Sequence, residues 1–155
     1  MREQGVVTDC AVGGATAVLF YAEPTRTYDV DVFAILPSVD QSALVSLADV
    51  YRWGESQGFP VDGEHLLVHG VPVQILPAYN ALVVDAIETA REHDYEGTPV
   101  RVIDPEHLIA LALQAGGARR RERAWLVLQA GVVDRPRLRA LLDAHAIHVE
   151  IPEDV

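Results

Sequence analysis

Two aspartates lie two residues apart in a segment that alternates between polar and apolar side chains. Asp29 and Asp31 belong to Tyr28–Leu36, whose pattern is typical of a half-buried strand. Alternate side chains of a strand point to the same face, so the two carboxylates share one face. They repel each other unless a cation lies between them. Mg²⁺ prefers oxygen ligands and usually keeps substrate phosphates and water as the others. The pair therefore predicts a site for Mg²⁺, or for Mn²⁺.

A glycine pair precedes these aspartates. Gly13-Gly14 follows Thr8–Val12, a predicted strand, and comes before Ala15–Ala22, which has helical composition. Glycines let the backbone approach a ligand closely, and the free N–H groups at a helix start favour phosphate. Together, the glycine turn and the paired aspartates predict a site for a triphosphate and a metal ion.

The order of these features resembles the nucleotidyltransferase superfamily that includes DNA polymerase beta and the minimal nucleotidyltransferases. The mark of that superfamily is a hydrophobic-Gly-Gly/Ser turn followed by Asp-hydrophobic-Asp-hydrophobic, here Gly13-Gly14 and then RTYDVDVF from Arg26 to Phe33. The chain looks closest to small bacterial members linked to toxin–antitoxin and abortive-infection systems. Val71–Leu76 and Pro105–Leu128 extend the resemblance to a later strand and to a helical tail, so that it covers most of the chain.

The resemblance implies transfer of a nucleoside monophosphate from an NTP to an acceptor hydroxyl, with Mg²⁺ as the cofactor. Asp29 and Asp31 would be the catalytic residues and the metal ligands. The implied nucleotide-binding residues are Gly13, Gly14, Thr16, Arg26 and Thr27. For Arg26, an ion pair with the aspartates is an equal alternative to a phosphate contact.

Several positions depart from the pattern of the superfamily. Its third carboxylate would fall at Gln74, and glutamine cannot accept a proton from an attacking hydroxyl. The lysine of its helical tail corresponds to Ala112, and the two acidic residues that usually follow correspond to Glu122 and Trp125. Three carboxylates could replace the missing one in space, and the sequence does not choose among them: Asp62, Glu64 and Asp85.

The composition restricts the chemistry further. The chain has 155 residues, of which 50% are hydrophobic, and its net charge is -11. All 12 basic residues are arginine, and without lysine the Schiff-base and P-loop mechanisms are excluded. A negative mean field disfavours long nucleic-acid footprints and anionic membranes. We expect a cytoplasmic protein with no membrane partner, because no uncharged stretch is long enough to span a membrane and the first residues lack the apolar core of a signal peptide.

Two other groups of residues have open interpretations. The basic cluster Arg119–Arg123 could grip a triphosphate, a tRNA backbone or an acidic partner, or it could be a solvated helical turn. His145 and His148 could bind a metal only if they lay on one helix, and we expect a strand there instead.

The alternation of segments predicts an α+β fold, in which helices flank a small mixed β-sheet and the C-terminal part is helical. We expect a nucleotidyltransferase core over residues 1–103 and a helical tail over 104–155 packed on it as one compact domain. The remaining expected elements are a helix from Asp40 to Gln57, hairpin strands Glu64–Val68 and Val71–Leu76 around His69-Gly70, a helix Tyr79–Glu92, a strand Pro99–Ile103, a helix capped by Asp104, helices Arg121–Ala130 and Arg135–Ala144, and a strand Ile147–Ile151.

Two functions from different classes follow. The chain is either a weak nucleotidyltransferase, whose acceptor would be a protein, a tRNA or a small molecule, or a degenerate member of the fold. The degenerate protein would bind nucleotides or a protein partner, for example in a toxin–antitoxin pair. The Gly-Gly turn and the paired aspartates favour the enzyme, whereas Gln74, Ala112 and Trp125 favour the binding protein.

Overall fold

A seven-stranded sheet with the order β3-β4-β5-β2-β1-β7-β6 organises the computed structural model, which describes residues 1–23, 26–37, 46–149 and 151. The strands are β1 (Asp9–Val12), β2 (Val30–Ile35), β3 (Val61–Asp62), β4 (His65–Val68), β5 (Val71–Pro77), β6 (Arg91–Tyr95) and β7 (Thr98–Val102). The helices are α1 (Gly14–Val18), α2 (Ala48–Ser56), α3 (Ala81–Glu88), α4 (Pro105–Ala115), α5 (Ala118–Gln129) and α6 (Arg135–Ala144). None of the described helices has the length and apolar character needed to cross a membrane.

The sheet is mixed, as the sequence predicts. β2 pairs in parallel with β5, and β1 in parallel with β7. The pairs β1–β2, β3–β4, β4–β5 and β6–β7 are antiparallel. Helices follow or flank these strands, and the last three described elements are helices. The predicted α+β architecture is therefore confirmed.

The hairpin of β4 and β5 fixes the register of the strands on one side of the central strand β2. Its turn residues, His69 and Gly70, have φ values of 52° and 84°. Two consecutive positive φ angles are typical of the tight turn whose twist matches that of paired strands. The turn pairs Val68 with Val71, and three residues further along it pairs His65 with Gln74.

The two faces of the sheet have different hydrophobic clusters. The smaller cluster contains Ala34, Leu66 and Ile75 from the strands and Val50 from α2. The larger cluster joins β1, β7 and α3 with the three C-terminal helices. One continuous core therefore links the part before residue 103 with the part after it, while the division at that residue stays a prediction.

α4 is the central helix of the C-terminal part, as expected. Every residue from Pro105 to Leu111 is buried. Asp104 is its N-cap, since the carboxylate accepts a hydrogen bond of 2.9 Å from the backbone N–H of His107, and Pro105 occupies the first turn. Gly116, with a φ of 68°, ends the helix.

Two expected elements are wrong. The helix expected over Tyr79–Glu92 ends at Glu88, and Arg91–Tyr95 is the edge strand β6, paired antiparallel with β7. The turn at Glu96-Gly97, where both φ values are positive, sends the chain back along β6. The strand expected over Ile147–Ile151 is absent from its described residues. Ile147 instead donates its N–H to the carbonyl of Leu142 and closes the end of α6.

Other boundaries differ by a few residues. α1 stops at Val18, four residues before the expected end, and α5 begins three residues earlier than expected, at Ala118. α2 is described from Ala48 to Ser56. The expected start of that helix at Asp40, with Leu44 on its apolar face, lies outside the described residues.

Candidate active site

The paired aspartates lie at the start of β2. Asp31 is the second residue of the strand and Asp29 directly precedes it. Asp31 is half-buried, and burial raises the pKa of its carboxyl, with the nearby charge of Asp29 as the next cause. Among the described contacts, no hydrogen bond or ion pair ends on the Asp31 carboxylate. A cation would stabilise a partly desolvated carboxylate that lies beside a second carboxylate, because it offsets both the lost hydration and the repulsion.

The glycine pair lies against these aspartates. The N–H of Gly13 donates to the carbonyl of Asp31 at 2.9 Å. Gly14 has a φ of +57°, and a Cβ on it would lie 1.7 Å from Oδ2 of Asp31. A Cβ on Gly13 would lie 2.4 Å from the ring of Phe33. Both positions therefore exclude a side chain, and Gly14 also requires a left-handed backbone. No side chain caps the short helix that follows Gly13, so its first N–H groups have no side-chain partner at the cap.

Two threonines hold the backbone of Asp29. The hydroxyl of Thr16 donates to the carbonyl oxygen of Asp29 at 3.0 Å, and that of Thr27 donates to the same oxygen at 2.9 Å. These hydroxyls thus fix the loop before β2 against α1, while their predicted contact with nucleotide stays a prediction. The guanidinium of Arg26 lies 6.0 Å from the ring centre of Tyr28, and both side chains are exposed. Among the described contacts of Arg26, this contact with Tyr28 is present and the ion pair with the aspartates is not.

A row of polar side chains crosses the sheet from Asp31. β2 pairs Asp31 with Gln74, β5 pairs Gln74 with His65, and β3 pairs Asp62 with His65. Residues paired in register lie on the same face of a sheet. Gln74 is thus the direct neighbour of Asp31, and it is the position at which the resemblance to the superfamily implies the third carboxylate.

His65 is the residue of this row that sequence reasoning missed. Its Nε2 lies 3.7 Å from Oδ2 of Asp29. The signal was available in the hairpin, because the two-residue turn at His69-Gly70 pairs His65 with Gln74 by counting. Of the three carboxylates proposed as replacements, Asp62 lies at the far end of the row, and Glu64 accepts a hydrogen bond from Tyr51 through its backbone carbonyl. Asp85 instead binds Nε2 of His107 at 3.1 Å.

A buried polar network holds the start of α4. Nδ1 of His107 lies 2.8 Å from Oδ1 of Asp104, and Arg137 of α6 binds the carboxylates of Asp104 and Glu106. Burial alone would raise the pKa of Asp104, but the hydrogen bonds from His107 and Arg137 outweigh it and lower the pKa to about 2. Burial alone would lower the pKa of His107, and the carboxylates of Asp104 and Asp85 reverse this, so that the pKa is raised. The network anchors α4 to α3 and α6.

A cavity of about 370 Å³ opens beside Asp31. One side contains Asp31 and Gln74 of the sheet with Gly14 of α1, and the opposite side contains Ala112 of α4 together with Arg120 and Arg123 of α5. The departures from the superfamily pattern at Gln74 and Ala112 therefore lie in one cavity with Asp31, one of the two predicted metal ligands. Two others lie elsewhere: Glu122 is exposed, and Trp125 packs against the larger hydrophobic cluster.

The donor set suits a hard cation with substrate oxygens as further ligands. Among the described residues, no group of three or more His, Cys, Asp or Glu side chains is arranged to hold a metal ion, and this includes His145 and His148. Asp29 and Asp31 can supply carboxylate oxygens, which Mg²⁺ and Mn²⁺ prefer. Phosphates and water would have to complete the coordination, as is usual for Mg²⁺.

Residues 1–152 match the family described as nucleotidyl transferase of unknown function (DUF2204). The chain belongs to this nucleotidyl transferase family. The resemblance indicated by the Gly-Gly turn and the paired aspartates is thereby confirmed. A comparison with curated proteins finds no match.

Solved structures of nucleotidyltransferases share the fold of this family member. The crystal structure of ANT(2'')-Ia in complex with adenylyl-2''-tobramycin has a TM-score of 0.54 at 15% identity and covers 94% of this chain and 90% of that one. The solution structure of the antibiotic-resistance factor ANT(2'')-Ia has a TM-score of 0.53 at 15% identity, covering 94% and 85%. An antigenic nucleotidyltransferase-like protein from Paracoccidioides brasiliensis has a TM-score of 0.52 at 15% identity, covering 89% and 79%.

Proposed function

We propose that this chain transfers a nucleoside monophosphate from an NTP to an acceptor hydroxyl. The observation that carries the proposal is the contact of the Gly13-Gly14 turn with the strand of the paired aspartates, where Gly14 lies directly against the Asp31 carboxylate and both residues line the cavity. Membership of the nucleotidyl transferase family supports the same reaction class. In the reaction, a bond forms between the acceptor oxygen and the α-phosphorus, and the bond to the bridging oxygen breaks. Pyrophosphate leaves with that oxygen, and the acceptor hydroxyl gives its proton to water.

Asp29 and Asp31 would hold the divalent cation. When bound there, Mg²⁺ or Mn²⁺ would neutralise phosphate charge and lower the pKa of the attacking hydroxyl. Thr16 and Thr27 keep the carbonyl of Asp29 fixed, and this limits the movement of its carboxylate. Gly14 lets the turn lie directly against the Asp31 carboxylate, so that phosphate oxygens bound by backbone N–H groups of the turn would lie next to the metal ligands.

Turnover is proposed to be weak. Gln74 lies in register beside Asp31 but carries no charge, so it can neither accept a proton nor add a carboxylate ligand. The same observation favours a second candidate function, in which the protein binds a nucleotide or a protein partner without transferring the nucleotide. The acceptor is proposed to be a protein, a tRNA or a small molecule. One small-molecule class to test is antibiotics such as tobramycin, which is adenylylated in the ANT(2'')-Ia complex.

A label-transfer assay tests this proposal. The protein is incubated with each α-labelled NTP and Mg²⁺ or Mn²⁺, separately with lysate protein, bulk tRNA and tobramycin. The matched control is Asp29→Asn/Asp31→Asn, which keeps the side-chain shape and removes both charges. Transfer by the wild-type protein that disappears in the control is the expected result. Nucleotide binding without transfer would support the binding function instead, and a lack of both would refute transfer and nucleotide binding and leave only binding of a protein partner.

A further inference from the structure

The cavity beside Asp31 has opposite charges on its two sides. Asp31 lies on the sheet side, and the guanidinium groups of Arg120 and Arg123 lie on the α5 side. In the described part of the chain, neither arginine forms an ion pair with a carboxylate. Positive and negative groups therefore face each other across the cavity without contact.

Helical spacing selects these two arginines from the basic cluster. Arg120 and Arg123 are three residues apart, and they share their helix face with Ala124 and Val127, which line the same cavity. Arg119 and Arg121 do not line it and are exposed. Arg123 is only partly exposed, and among the hydrogen bonds of the described residues Arg120 has one, to the carbonyl of Gly116 at 3.5 Å. The chain has a net charge of -11, so carboxylates are abundant. Even so, neither of these two arginines pairs with a carboxylate in the described structure.

We propose that Arg120 and Arg123 form a polyphosphate clamp, in which their guanidinium groups bind the oxygens of the pyrophosphate portion of an NTP. A ligand that fits this cavity must be negative at its α5 end and must bring a cation to the Asp31 end. A polyphosphate with a divalent cation meets both requirements. Guanidinium groups suit phosphate because their N–H donors match its oxygens in pairs. The clamp rests on the proposed function for the identity of the ligand as a nucleotide, but binding of pyrophosphate itself requires no transfer.

The neighbouring helix α4 explains why the positive charge in this cavity comes from α5. Ala112 of α4 lines the same cavity and contributes only a methyl group. The positive charge on this side of the cavity is therefore supplied by α5. A lysine introduced at position 112 would return a cation to the cavity from the other helix.

Calorimetric titration of the full chain with magnesium pyrophosphate and with MgATP, without an acceptor, tests the clamp. We expect Arg120→Ala/Arg123→Ala to weaken both affinities by ~100-fold, since a hydrogen bond to a charged group contributes ~10-fold or more. The matched control Arg119→Ala/Arg121→Ala removes the same charge from the same cluster and should change the affinities by less than ~3-fold. Adding Ala112→Lys to the first double variant should restore part of the affinity. Thermal unfolding checks that each variant is folded, and Arg123→Lys replaces the alanine variant if it is not.

The outcomes separate this proposal from the transferase function. Equal losses in both double variants would mean diffuse attraction and would overturn the clamp, as would no loss in either. A wild-type protein that binds neither pyrophosphate nor ATP would also overturn it. If label transfer persists while the cavity variant binds normally, the clamp fails and the transferase stands. If pyrophosphate binding depends on the two arginines but no acceptor is ever labelled, the clamp stands and the transferase fails.

Discussion

Gly14→Ala should separate catalysis from stability at the centre of the site. The new Cβ would lie 1.7 Å from Oδ2 of Asp31, 2.6 Å from its Cγ and 2.9 Å from its Cβ. Rotation of the carboxylate cannot relieve all three contacts, so the turn and Asp31 must separate by about 1 Å or more. A displacement of that size at a reacting group costs ~10²-fold in rate. The left-handed φ of +57° adds about 1 kcal/mol of strain.

The matched control is Gly131→Ala. Gly131 has a similar φ of +71°, and nothing lies within 4 Å of a Cβ at that position. It should lose about 1 kcal/mol of unfolding free energy through backbone strain alone and keep the wild-type transfer rate. Initial rates of label transfer measure catalysis, electron paramagnetic resonance of bound Mn²⁺ measures metal affinity, and chemical denaturation measures the free energy of unfolding. A Gly14→Ala protein with wild-type rate and Mn²⁺ affinity would refute the placement of the metal site against this turn.

Three further predictions concern Gln74 and the network at the start of α4. Gln74→Asp should raise the label-transfer rate by ~10-fold or more, because a positioned proton acceptor contributes ~10²–10⁴-fold; an unchanged rate would place the third carboxylate elsewhere. The lowered pKa of Asp104 stabilises the fold at pH values above 3.8, the ordinary pKa of this carboxyl, and this contribution is lost as the pH falls towards about 2. Asp104→Asn should therefore flatten the acid limb of a denaturation series, and a limb as steep as that of the wild type would contradict this. The raised pKa of His107 acts oppositely: its contribution is complete below 6.5 and declines as pH rises through the folded pKa, so His107→Gln should abolish that decline in the same series.

Local patterns predicted the elements that carry the site. The alternating apolar residues of β2, the hairpin turn at His69-Gly70 and the Asp104-Pro105 start of α4 each have a short-range physical cause. β6 escaped prediction because its sequence, REHDY, lacks apolar alternation and largely faces solvent. Its strand conformation is imposed by hydrogen bonds to β7 and by the turn at Glu96-Gly97. Likewise, Ile147 is drawn into the core at the end of α6, although its segment favours a strand by composition.

The candidate site also has one part that the sequence predicts and another part that only the tertiary structure decides. The spacing of Gly13-Gly14 and of Asp29 and Asp31 is written in the sequence, because a turn and the two-residue repeat of a strand fix their geometry over short distances. The sequence also shows that the chain has no lysine, so another cation must lie near any bound phosphate. Only the tertiary structure placed His65 beside Asp29, and brought two of the clustered arginines from α5 to the cavity that faces Asp31. Those contacts join residues that are distant along the chain, and they depend on strand order and helix packing, which no local pattern encodes.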